Sequence, residues 1–320
     1  MYEEREDIVL EKKSIVRSSY RIYVTGIAGM LGYGIYNRLK GKAEITGVDL
    51  WDIDIPGLSY KKISLFDMEQ IENDIAEIKP DILIHTAALV NVDECEENPE
   101  NARKLNTEVS EKLADICNRY RVKMVYISTD AVFDGKNPKL YTEEDKENPI
   151  NVYGRTKLDG EAAVLRYHQN LVFRTNIYGI NIQKKQSFGE WIYSSLKENK
   201  TLNMFTDIDF SPIEVEELAE LIYKACQKGL CGLYHACGTG SITKYEFAVR
   251  LKEIFQIETG DIRQTTSDTA RLKAKRSKHM GMSNRKLCDE LQVKISTPEE
   301  SILRFRNLWR ERNCGDQDRR

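Results

Sequence analysis

The chain has 320 residues, of which 31% are charged and 41% are hydrophobic, and its formal net charge is -3. A chain of this length can bury a full hydrophobic core. Because acidic and basic residues nearly cancel, no field of one sign indicates a nucleic acid or an anionic membrane as the partner, and small-molecule chemistry is favoured.

The two ends of the chain differ from its middle. Residues 1–19 mix acids and bases around one short apolar run, so they lack the apolar centre of a signal peptide, and we interpret them as a charged N-terminal extension. The last segment, RERNCGDQDRR, is predicted to be unstructured, with residues 313–320 as a tail. No stretch approaches the roughly 18 apolar residues that a membrane span needs. Seven cysteines without a Cys-x-x-Cys pair indicate a reduced, cytoplasmic protein with no metal site.

From Arg21 onward, short β-branched runs alternate with longer amphipathic runs. In chain order they are RIYVTG, MLGYGIYNRLKG, AEITGVDL, FDMEQIENDIAEIK, PDILIHTAA, PENARKLNTEVSEKLADICNRY, VKMVYIST, a helix that begins near Asn151, and NLVFRT. Apolar strands separated by helices predict an α/β fold with a parallel, doubly wound sheet of the Rossmann type. We assign residues 20–176 to a dinucleotide-binding domain.

After Thr175 the alternation weakens. Helix-like QSFGEWIYSSLKEN and EVEELAELIYKACQKG, strand-like LNMFT and GLYHAC, and a charged final third follow. They predict a smaller, mainly helical substrate lobe over residues 177–312, with segments that return to the first domain. A substrate would bind in the cleft between the two units.

The first predicted strand ends in a glycine-rich loop, TGIAGMLG. Such a loop between a strand and a helix is common in α/β proteins, but it also lets the backbone approach a pyrophosphate at the helix N-terminus. The cofactor candidates in the loop are Gly26, Ala28, Gly29, Met30 and Leu31. Asp49, at the end of the second strand, would bind the adenosine ribose hydroxyls. Its charge would repel a ribose phosphate and no Arg follows directly, so NADH is favoured over NADPH.

Two further places along the predicted sheet could meet the dinucleotide. Asp67 opens the helix after the third strand, where it could cap that helix or, with Met68, contact the adenine. Ala87 and Ala88 follow the fourth strand and are small enough for a nicotinamide ribose to pack closely. His85, inside the same apolar strand, is interpreted as a core histidine rather than a catalyst.

Tyr153 and Lys157 stand four residues apart in NPINVYGRTKLDGE. Positions i and i+4 share one face of a helix, so the two side chains could point together into a cofactor site or into solvent. Tyr36/Lys40 and Tyr193/Lys197 have the same spacing, so the spacing alone does not decide.

Three motifs in this order, TGIAGMLG, STDAVFDG and YGRTKL, make the chain resemble the extended short-chain dehydrogenase/reductase superfamily, and especially its dTDP-4-dehydrorhamnose reductase branch. KPDILIHTAA, VFRT and GLYHACGTGSITKYEFA extend the resemblance over most of the chain. The resemblance implies that Tyr153 donates a proton to the carbonyl of a keto sugar while hydride arrives from the nicotinamide. Lys157 would lower the phenol pKa and hold the nicotinamide ribose, and Thr129 would hydrogen-bond the same oxygen. Ser128 would also contact the cofactor.

The sequence departs from the family pattern on the substrate side. Ala131 replaces the usual aromatic residue after STD, Ile177 replaces a Trp, and Pro212-Ile213 replaces Pro-Thr. The basic segment KRSK could meet a diphosphate, or it could be a solvated surface. The resulting substrate-binding candidates are Val90, Thr129, Asp130, Ile177 and Arg276.

Three functions are compatible with these residues. The first is NAD(P)H-dependent reduction of a nucleotide-linked 4-keto-6-deoxy sugar for polysaccharide or glycoside biosynthesis, as in dTDP-rhamnose synthesis, by a possible homodimer. The second is epimerisation or dehydration of a nucleotide sugar. The third is a regulatory, non-catalytic dinucleotide-binding subunit like the methionine adenosyltransferase beta subunit, which also resembles this branch.

Overall fold

The computed structural model describes residues 19–183, 185–270 and 273–315. The strands are β1 (Tyr20–Thr25), β2 (Ala43–Asp49), β3 (Ser59–Lys62), β4 (Ile82–His85), β5 (Lys123–Thr129), β6 (Leu171–Thr175), β7 (Ile177–Tyr178), β8 (Thr201–Phe205), β9 (Asp209–Phe210), β10 (Ile213–Glu214), β11 (Gly232–His235), β12 (Ile242–Thr243), β13 (Asp261–Thr265) and β14 (His279–Met280).

The helices follow in the same chain order. They are α1 (Met30–Leu39), α2 (Met68–Ile78), α3 (Val92–Glu97), α4 (Pro99–Arg103), α5 (Val109–Arg119), α6 (Val152–Leu165), α7 (Phe188–Lys197), α8 (Val215–Gln227), α9 (Lys244–Phe255), α10 (Arg285–Leu291) and α11 (Pro298–Gly315). A π-helical turn at Lys104–Glu108 joins α4 to α5. Short 3-10 turns cover Asp130–Val132 and Ser267–Thr269. Among the described residues no helix is both long enough and apolar enough to cross a membrane.

A seven-stranded parallel sheet organises the molecule, in the spatial order β11-β6-β5-β4-β1-β2-β3. The chain first adds β2 and β3 on one side of β1. It then adds β4, β5, β6 and β11 on the other side of β1. The strand order therefore reverses between β1 and β4, and the carboxyl ends of these strands open a crevice where α/β proteins bind their ligands. The predicted Rossmann-type fold class is confirmed.

Helices cover both faces of the sheet, because alternate strand residues enter two different cores. In β1, Ile22 and Val24 pack into one core and Tyr23 into the other. In β5, Val125 joins the first of these cores and Tyr126 the second. Since side chains alternate between the faces of a strand, a strand that is apolar at every position must be covered on both sides.

Two later segments return to this sheet. β11 pairs in parallel with β6 at one edge, and α8 packs against α1. The remaining C-terminal elements surround a separate aromatic core, in which Tyr178, Phe247 and Phe305 are fully buried. This second lobe is built mainly from α7, α9 and α11, and the short strand pairs β8–β13 and β9–β14 complete it.

The prediction that the chain becomes unstructured from Arg310 is wrong, because α11 continues through Gly315. Apolar residues at helical spacing in its preceding turns hold it against the second lobe: Ile302 and Phe305 are buried there, and Leu308 and Trp309 are partly buried. This periodicity specifies a helix that packs along one face. Residues 1–18 of the predicted extension and residues 316–320 of the predicted tail lie outside the described residues.

Candidate active site

The glycine-rich loop lies directly against the end of β4. Gly26 has a left-handed backbone with φ of +76°, and a Cβ there would lie 2.7 Å from the amide nitrogen of Ala87. A Cβ on Gly32 would lie 2.2 Å from the carbonyl oxygen of Gly26. Only glycine fits these two positions, so the loop keeps a backbone surface at the start of α1 that a pyrophosphate can approach. The chain therefore has the cradle that a dinucleotide requires.

Asp49 joins the end of β2 to this loop. Its Oδ2 accepts a hydrogen bond from the Ala28 amide at 3.0 Å, and its Oδ1 accepts one from the Leu50 amide at 2.7 Å. The carboxylate is therefore fixed beside the glycine loop, where it can accept hydrogen bonds from ribose hydroxyls. Asp67 caps α2 by accepting a hydrogen bond from the Gln70 amide at 3.1 Å. Met68 packs partly into the core beneath the sheet.

Two exposed aromatic residues at this end were not among the predicted site residues. Trp51 follows β2 and is 65% exposed, and Phe66 precedes α2 and is 56% exposed. Large apolar side chains that follow the carboxyl ends of neighbouring strands are suited to an aromatic base. Their position just after two predicted strands was the signal in the sequence that could have identified them.

Tyr153 and Thr129 meet where α6 packs on the end of β5. Asn151 caps α6 by accepting a hydrogen bond from the Gly154 amide at 2.8 Å. The Thr129 hydroxyl donates to Asp130 Oδ1 at 3.0 Å, and the interaction of Thr129 with the Tyr153 hydroxyl favours a lower pKa of the phenol. Burial raises the pKa of Tyr153, and the nearby Asp130 carboxylate raises it further, against the effect of Thr129. The phenol is therefore protonated at neutral pH.

Lys157 lies one helical turn beyond Tyr153 and is only 3% exposed. Its ammonium sits 4.0 Å from the centre of the Tyr126 ring. Burial lowers the pKa of Lys157 to about 7, although the charge of Glu161 opposes this shift. Burial is the largest cause of the pKa shift of both groups, and Lys157 is not among the causes of the shift of Tyr153. The expectation that Lys157 lowers the pKa of the phenol stays a prediction.

A buried ion pair supports α6 from behind. The Glu161 carboxylate accepts hydrogen bonds from Arg174 Nε at 3.0 Å and Nη2 at 2.7 Å. Ser128 donates its hydroxyl to Glu161, and its predicted contact with the cofactor stays a prediction. Because Glu161 is 2% exposed and Arg174 is 1% exposed, this pair fixes the position of the helix that carries Tyr153 and Lys157.

The end of β4 completes the cofactor side of the crevice. Thr86 donates its hydroxyl to the Thr25 carbonyl at 2.8 Å, which ties the two strand ends together. Ala87 and Ala88 follow at the point where the strand order reverses. His85 bonds through Nδ1 to the Thr25 hydroxyl at 2.6 Å, and burial lowers its pKa to about 3. His85 is therefore a neutral core residue at physiological pH.

The predicted substrate-binding residues differ in their burial and in their polar partners. Asp130 is buried beside Thr129 and accepts a hydrogen bond from Asn176 Nδ2 at 2.5 Å. Ile177 follows Asn176 in the chain and is partly buried, whereas Val90 is 51% exposed. Arg276 forms an ion pair with Asp93 at 3.0 Å. A diphosphate would have to compete with that carboxylate for the guanidinium.

Sequence reasoning missed Lys244, which belongs to the second lobe. The charge of Lys244 favours a lower pKa of Asp130, and the charge of Asp130 favours a higher pKa of Lys244. The residue lies in GSITKYEFA, a segment that supported only the family resemblance. Nothing local in that segment indicates that its lysine interacts with Asp130.

The comparisons with known proteins agree on one family. The family model described as RmlD substrate binding domain matches residues 20–309. The chain is 29% identical over 309 residues to methionine adenosyltransferase 2 subunit beta of Mus musculus, covering 91% of this chain and 88% of that protein. It is 29% identical over 238 residues to the probable low-salt glycan biosynthesis reductase Agl14 of Haloferax volcanii, covering 72% and 79%.

A solved structure gives the same result. The dTDP-4-dehydrorhamnose reductase of Bacillus anthracis str. Ames, in complex with NADP, superposes with a TM-score of 0.82 at 27% identity. The superposition covers 90% of this chain and 98% of that one. The likeness therefore includes both the sheet and the second lobe.

Replacing Gly154 with Ala is expected to destabilise the junction of α6 and β5. A Cβ at Gly154 would lie 2.1 Å from the Ala131 carbonyl oxygen, so the backbone must move. We expect the free energy of unfolding to fall by about 1–3 kcal/mol, as for other overpacked positions. Urea unfolding measures this free energy, and Arg155→Ala, at the exposed neighbouring position, is the control. An unchanged midpoint in Gly154→Ala would contradict the close contact.

Replacing Lys157 with Met is expected to stabilise the cofactor-free protein more at low pH than at high pH. The pKa of Lys157 is about 7 in the folded chain, against 10.5 for an unperturbed lysine. The unfolded chain binds the extra proton between these values, so the cost of burying Lys157 is complete below pH 7 and disappears near pH 10.5. The gain from Lys157→Met should therefore shrink as the pH rises.

Urea unfolding at pH 6.5 and pH 9.5, each chosen within about one unit of the ends of this window, measures the difference. Lys224→Met on the outer surface of α8 is the control, because Lys224 is exposed and should give the same small effect at both values. A gain from Lys157→Met that does not depend on pH would show that the folded chain does not lower the pKa of this lysine.

Proposed function

Because the chain belongs to the RmlD substrate binding domain family, we propose that it reduces a nucleotide-linked 4-keto-6-deoxy sugar to the corresponding alcohol. The chain is an oxidoreductase of the sugar-nucleotide reductase and epimerase superfamily, which uses a nicotinamide dinucleotide. The observation that carries the proposal is the interaction of Tyr153 with Thr129 at the crevice, one helical turn from Lys157.

Different residues of the crevice would bind different parts of the dinucleotide. The glycine loop from Gly26 to Leu31 would hold the pyrophosphate, and Asp49 would accept hydrogen bonds from the adenosine ribose. Lys157 and the backbone at Ala87 would face the nicotinamide ribose. The bound nicotinamide supplies a hydride to the carbonyl carbon of the substrate.

Tyr153 is suited to act as the proton donor in a reduction. Its raised pKa keeps the phenol protonated until negative charge develops on the carbonyl oxygen, which is a stronger base than the phenolate. Thr129 donates its one hydroxyl hydrogen to Asp130 in the free chain, and by turning that hydroxyl toward the substrate it would donate a second hydrogen bond to the same oxygen. Two donors aimed at a developing charge in a largely buried site lower the barrier without needing water to reorganise.

The protonation of Lys157 would depend on the bound cofactor and not only on the neighbouring phenol. With a pKa of about 7 it is only partly charged in the free protein. Ribose hydroxyls can accept hydrogen bonds from the ammonium, which favours its protonated form. Binding of the dinucleotide would then restore the positive charge beside Tyr153 that the resemblance implies.

NADH is the cofactor we favour. The carboxylate of Asp49 is held beside Ala28, where a phosphate on the ribose would meet its negative charge. Leu50, Trp51 and Asp52 follow it, so the next three residues offer no cation to receive a phosphate. The Bacillus anthracis reductase is complexed with NADP, so membership of the family does not by itself decide between the two cofactors.

A regulatory role is the second candidate. The match to the mouse methionine adenosyltransferase 2 subunit beta spans almost the whole chain, and it favours a subunit that keeps the dinucleotide site and acts on a partner protein. The two functions differ in one observable respect. An enzyme consumes NADH in the presence of its sugar nucleotide, whereas a regulatory subunit binds the dinucleotide without turnover.

The biosynthetic pathway in which this chain acts and its oligomeric state are proposals. The Haloferax volcanii relative is named a probable low-salt glycan biosynthesis reductase, which supports a role for this chain in polysaccharide or glycoside synthesis. The cytoplasmic location and the homodimer stay predictions.

Replacing Tyr153 with Phe is expected to lower kcat for dTDP-4-dehydrorhamnose by about 100- to 10,000-fold, since this is the usual contribution of a positioned proton donor. Dinucleotide affinity should change little, because the ring remains. Loss of NADH absorbance measures turnover. Tyr193→Phe is the matched control, because Tyr193 also precedes a lysine by four residues but packs against Phe255 and Trp309. Full activity in Tyr153→Phe would refute the assignment.

Replacing Asp49 with Asn is expected to weaken NADH binding by about 10- to 100-fold, the usual worth of a hydrogen bond to a charged group. NADPH should lose less, because the substitution also removes a repulsion. Titration of each cofactor by fluorescence measures both effects. Asp52→Asn is the control, since Asp52 is exposed and pairs with Lys62 at the surface. Equal losses for both cofactors would contradict the proposed preference for NADH.

A further inference from the structure

One segment of the second lobe, residues 273–279, contacts α3, the N-terminal end of α6 and the loop after β5, and we call it the strap. Ser277 donates its hydroxyl to the Phe133 carbonyl at 3.0 Å. The His279 amide donates to the Gly135 carbonyl at 3.1 Å. These two bonds fix the C-terminal end of the strap to the loop that follows β5.

Helix α3 holds the N-terminal end of the strap. Asp93 Oδ1 accepts a hydrogen bond from the Ala274 amide at 2.9 Å and lies 3.0 Å from Arg276 Nη2. Lys273 forms an ion pair with Glu97 of the same helix. The bond from the Ala274 amide holds the pKa of Asp93 below its usual range. The carboxylate is therefore charged at neutral pH, and it holds the strap through an amide and a guanidinium together.

Asn151 joins the middle of the strap to α6. Its Oδ1 accepts a hydrogen bond from the Gly154 amide at 2.8 Å, and its Nδ2 donates to the Lys275 carbonyl at 3.1 Å. One partner is a donor and the other an acceptor, so only this orientation of the side-chain amide satisfies both. The planar amide therefore links the strap to the first turn of α6, two residues before Tyr153.

The strap contact is not needed for capping the helix. Aspartate caps a helix as well as asparagine does, but a carboxylate has no donor for a backbone carbonyl. The same end of α6 also contacts α3, because Glu96 Oε2 accepts a hydrogen bond from the Val152 amide at 3.1 Å. The first turn of α6 is thus bonded both to the strap and to the helix that holds the strap.

We propose that Asn151 is a positioning residue, which fixes the first turn of α6 through its bond to the strap and so sets the position of the Tyr153 hydroxyl. This inference rests on the proposed function, in which Tyr153 is the proton donor. Proton transfer needs the two heavy atoms within hydrogen-bond distance, and a displacement of about 1 Å can lower a rate by about 100-fold. A released strap would leave Asn151 bonded on the helix side alone, and Tyr153 would be held less closely.

Asn151→Asp separates the two roles of this side chain. Aspartate keeps the cap on the Gly154 amide but turns an oxygen toward the Lys275 carbonyl, so the strap contact is lost while the helix is retained. We expect kcat for dTDP-4-dehydrorhamnose to fall by about 10- to 100-fold, with little change in NADH affinity or in the urea midpoint. Asn91→Asp is the matched control and should keep full activity, because Asn91 is exposed and caps α3 through its Oδ1 in the same way.

A double substitution identifies the strap as the connection. Asp93→Ala removes the bonds to Ala274 and Arg276, and it should also lower kcat. Because both substitutions release the same segment, Asp93→Ala should lower kcat little further when it is added to Asn151→Asp. Losses that multiply would overturn the inference. An unchanged kcat in Asn151→Asp would also overturn it, and so would a rise in KM alone, which would show that the strap only binds the sugar nucleotide.

Hydrogen exchange separates this inference from the proposed function, because it needs no substrate. The intact chain, Asp93→Ala and Glu94→Ala are compared by mass spectrometry of the peptide that contains residues 152–156. Release of the strap in Asp93→Ala should speed exchange in this turn of α6 by about 3- to 10-fold, as expected for one lost hydrogen bond. Glu94→Ala, an exposed substitution in the same turn of α3, should leave the exchange unchanged.

The two results of this measurement have opposite meanings. Faster exchange of residues 152–156 in Asp93→Ala alone supports the connection between the strap and α6, even if no sugar turns over. Exchange as slow as in the intact chain overturns the inference, whatever the activity measurements give.

Discussion

The close packing of α6 against the end of β5 is the contact on which the candidate site depends. The backbone of Gly154 lies so near the Ala131 carbonyl that no larger residue fits, and this approach places Tyr153 beside Thr129. Behind the same helix, the buried pair of Arg174 and Glu161 prevents α6 from moving away. A glycine in the first turn of a helix weakens that helix by about 1 kcal/mol relative to alanine. The close approach that brings the two hydroxyls together explains why glycine is present.

Burial controls the electrostatics of the site from both lobes. Lys157 on α6 and Lys244 on α9 each have a pKa of about 7, because both ammonium groups are removed from water. Burial also raises the pKa values of Tyr153 and Asp130. The free site therefore holds less charge than its residue types suggest. A cofactor and a sugar that offer hydroxyl oxygens would favour the charged forms of both lysines, so ligand binding and the protonation of the site are linked.

Local patterns in the sequence were sufficient for the fold, and they also predicted a cofactor side of the site. Apolar runs of strand length, the glycines of the loop and the acid at the end of β2 each act within one βαβ unit, and the structure has them at the crevice. The end of α11 was missed because its charged last turns hide the apolar face formed by Ile302 and Phe305. The pairing of Arg276 with Asp93 and the approach of Lys244 to Asp130 join residues far apart in the chain, which no local pattern can reveal. The pKa of Lys157 could not be predicted either, because it depends on burial in the assembled fold.

Transfer of deuterium from the cofactor is the most direct test of the central claim that this chain reduces a nucleotide-linked keto sugar. NADH carrying deuterium on the transferable position of the nicotinamide is incubated with the protein and dTDP-4-dehydrorhamnose, and the sugar product is examined by mass spectrometry and NMR. The account predicts one deuterium per product molecule, located at the carbon that bore the carbonyl. An unlabelled or unchanged sugar, with the dinucleotide bound but not oxidised, would contradict the proposed reduction and favour the regulatory function.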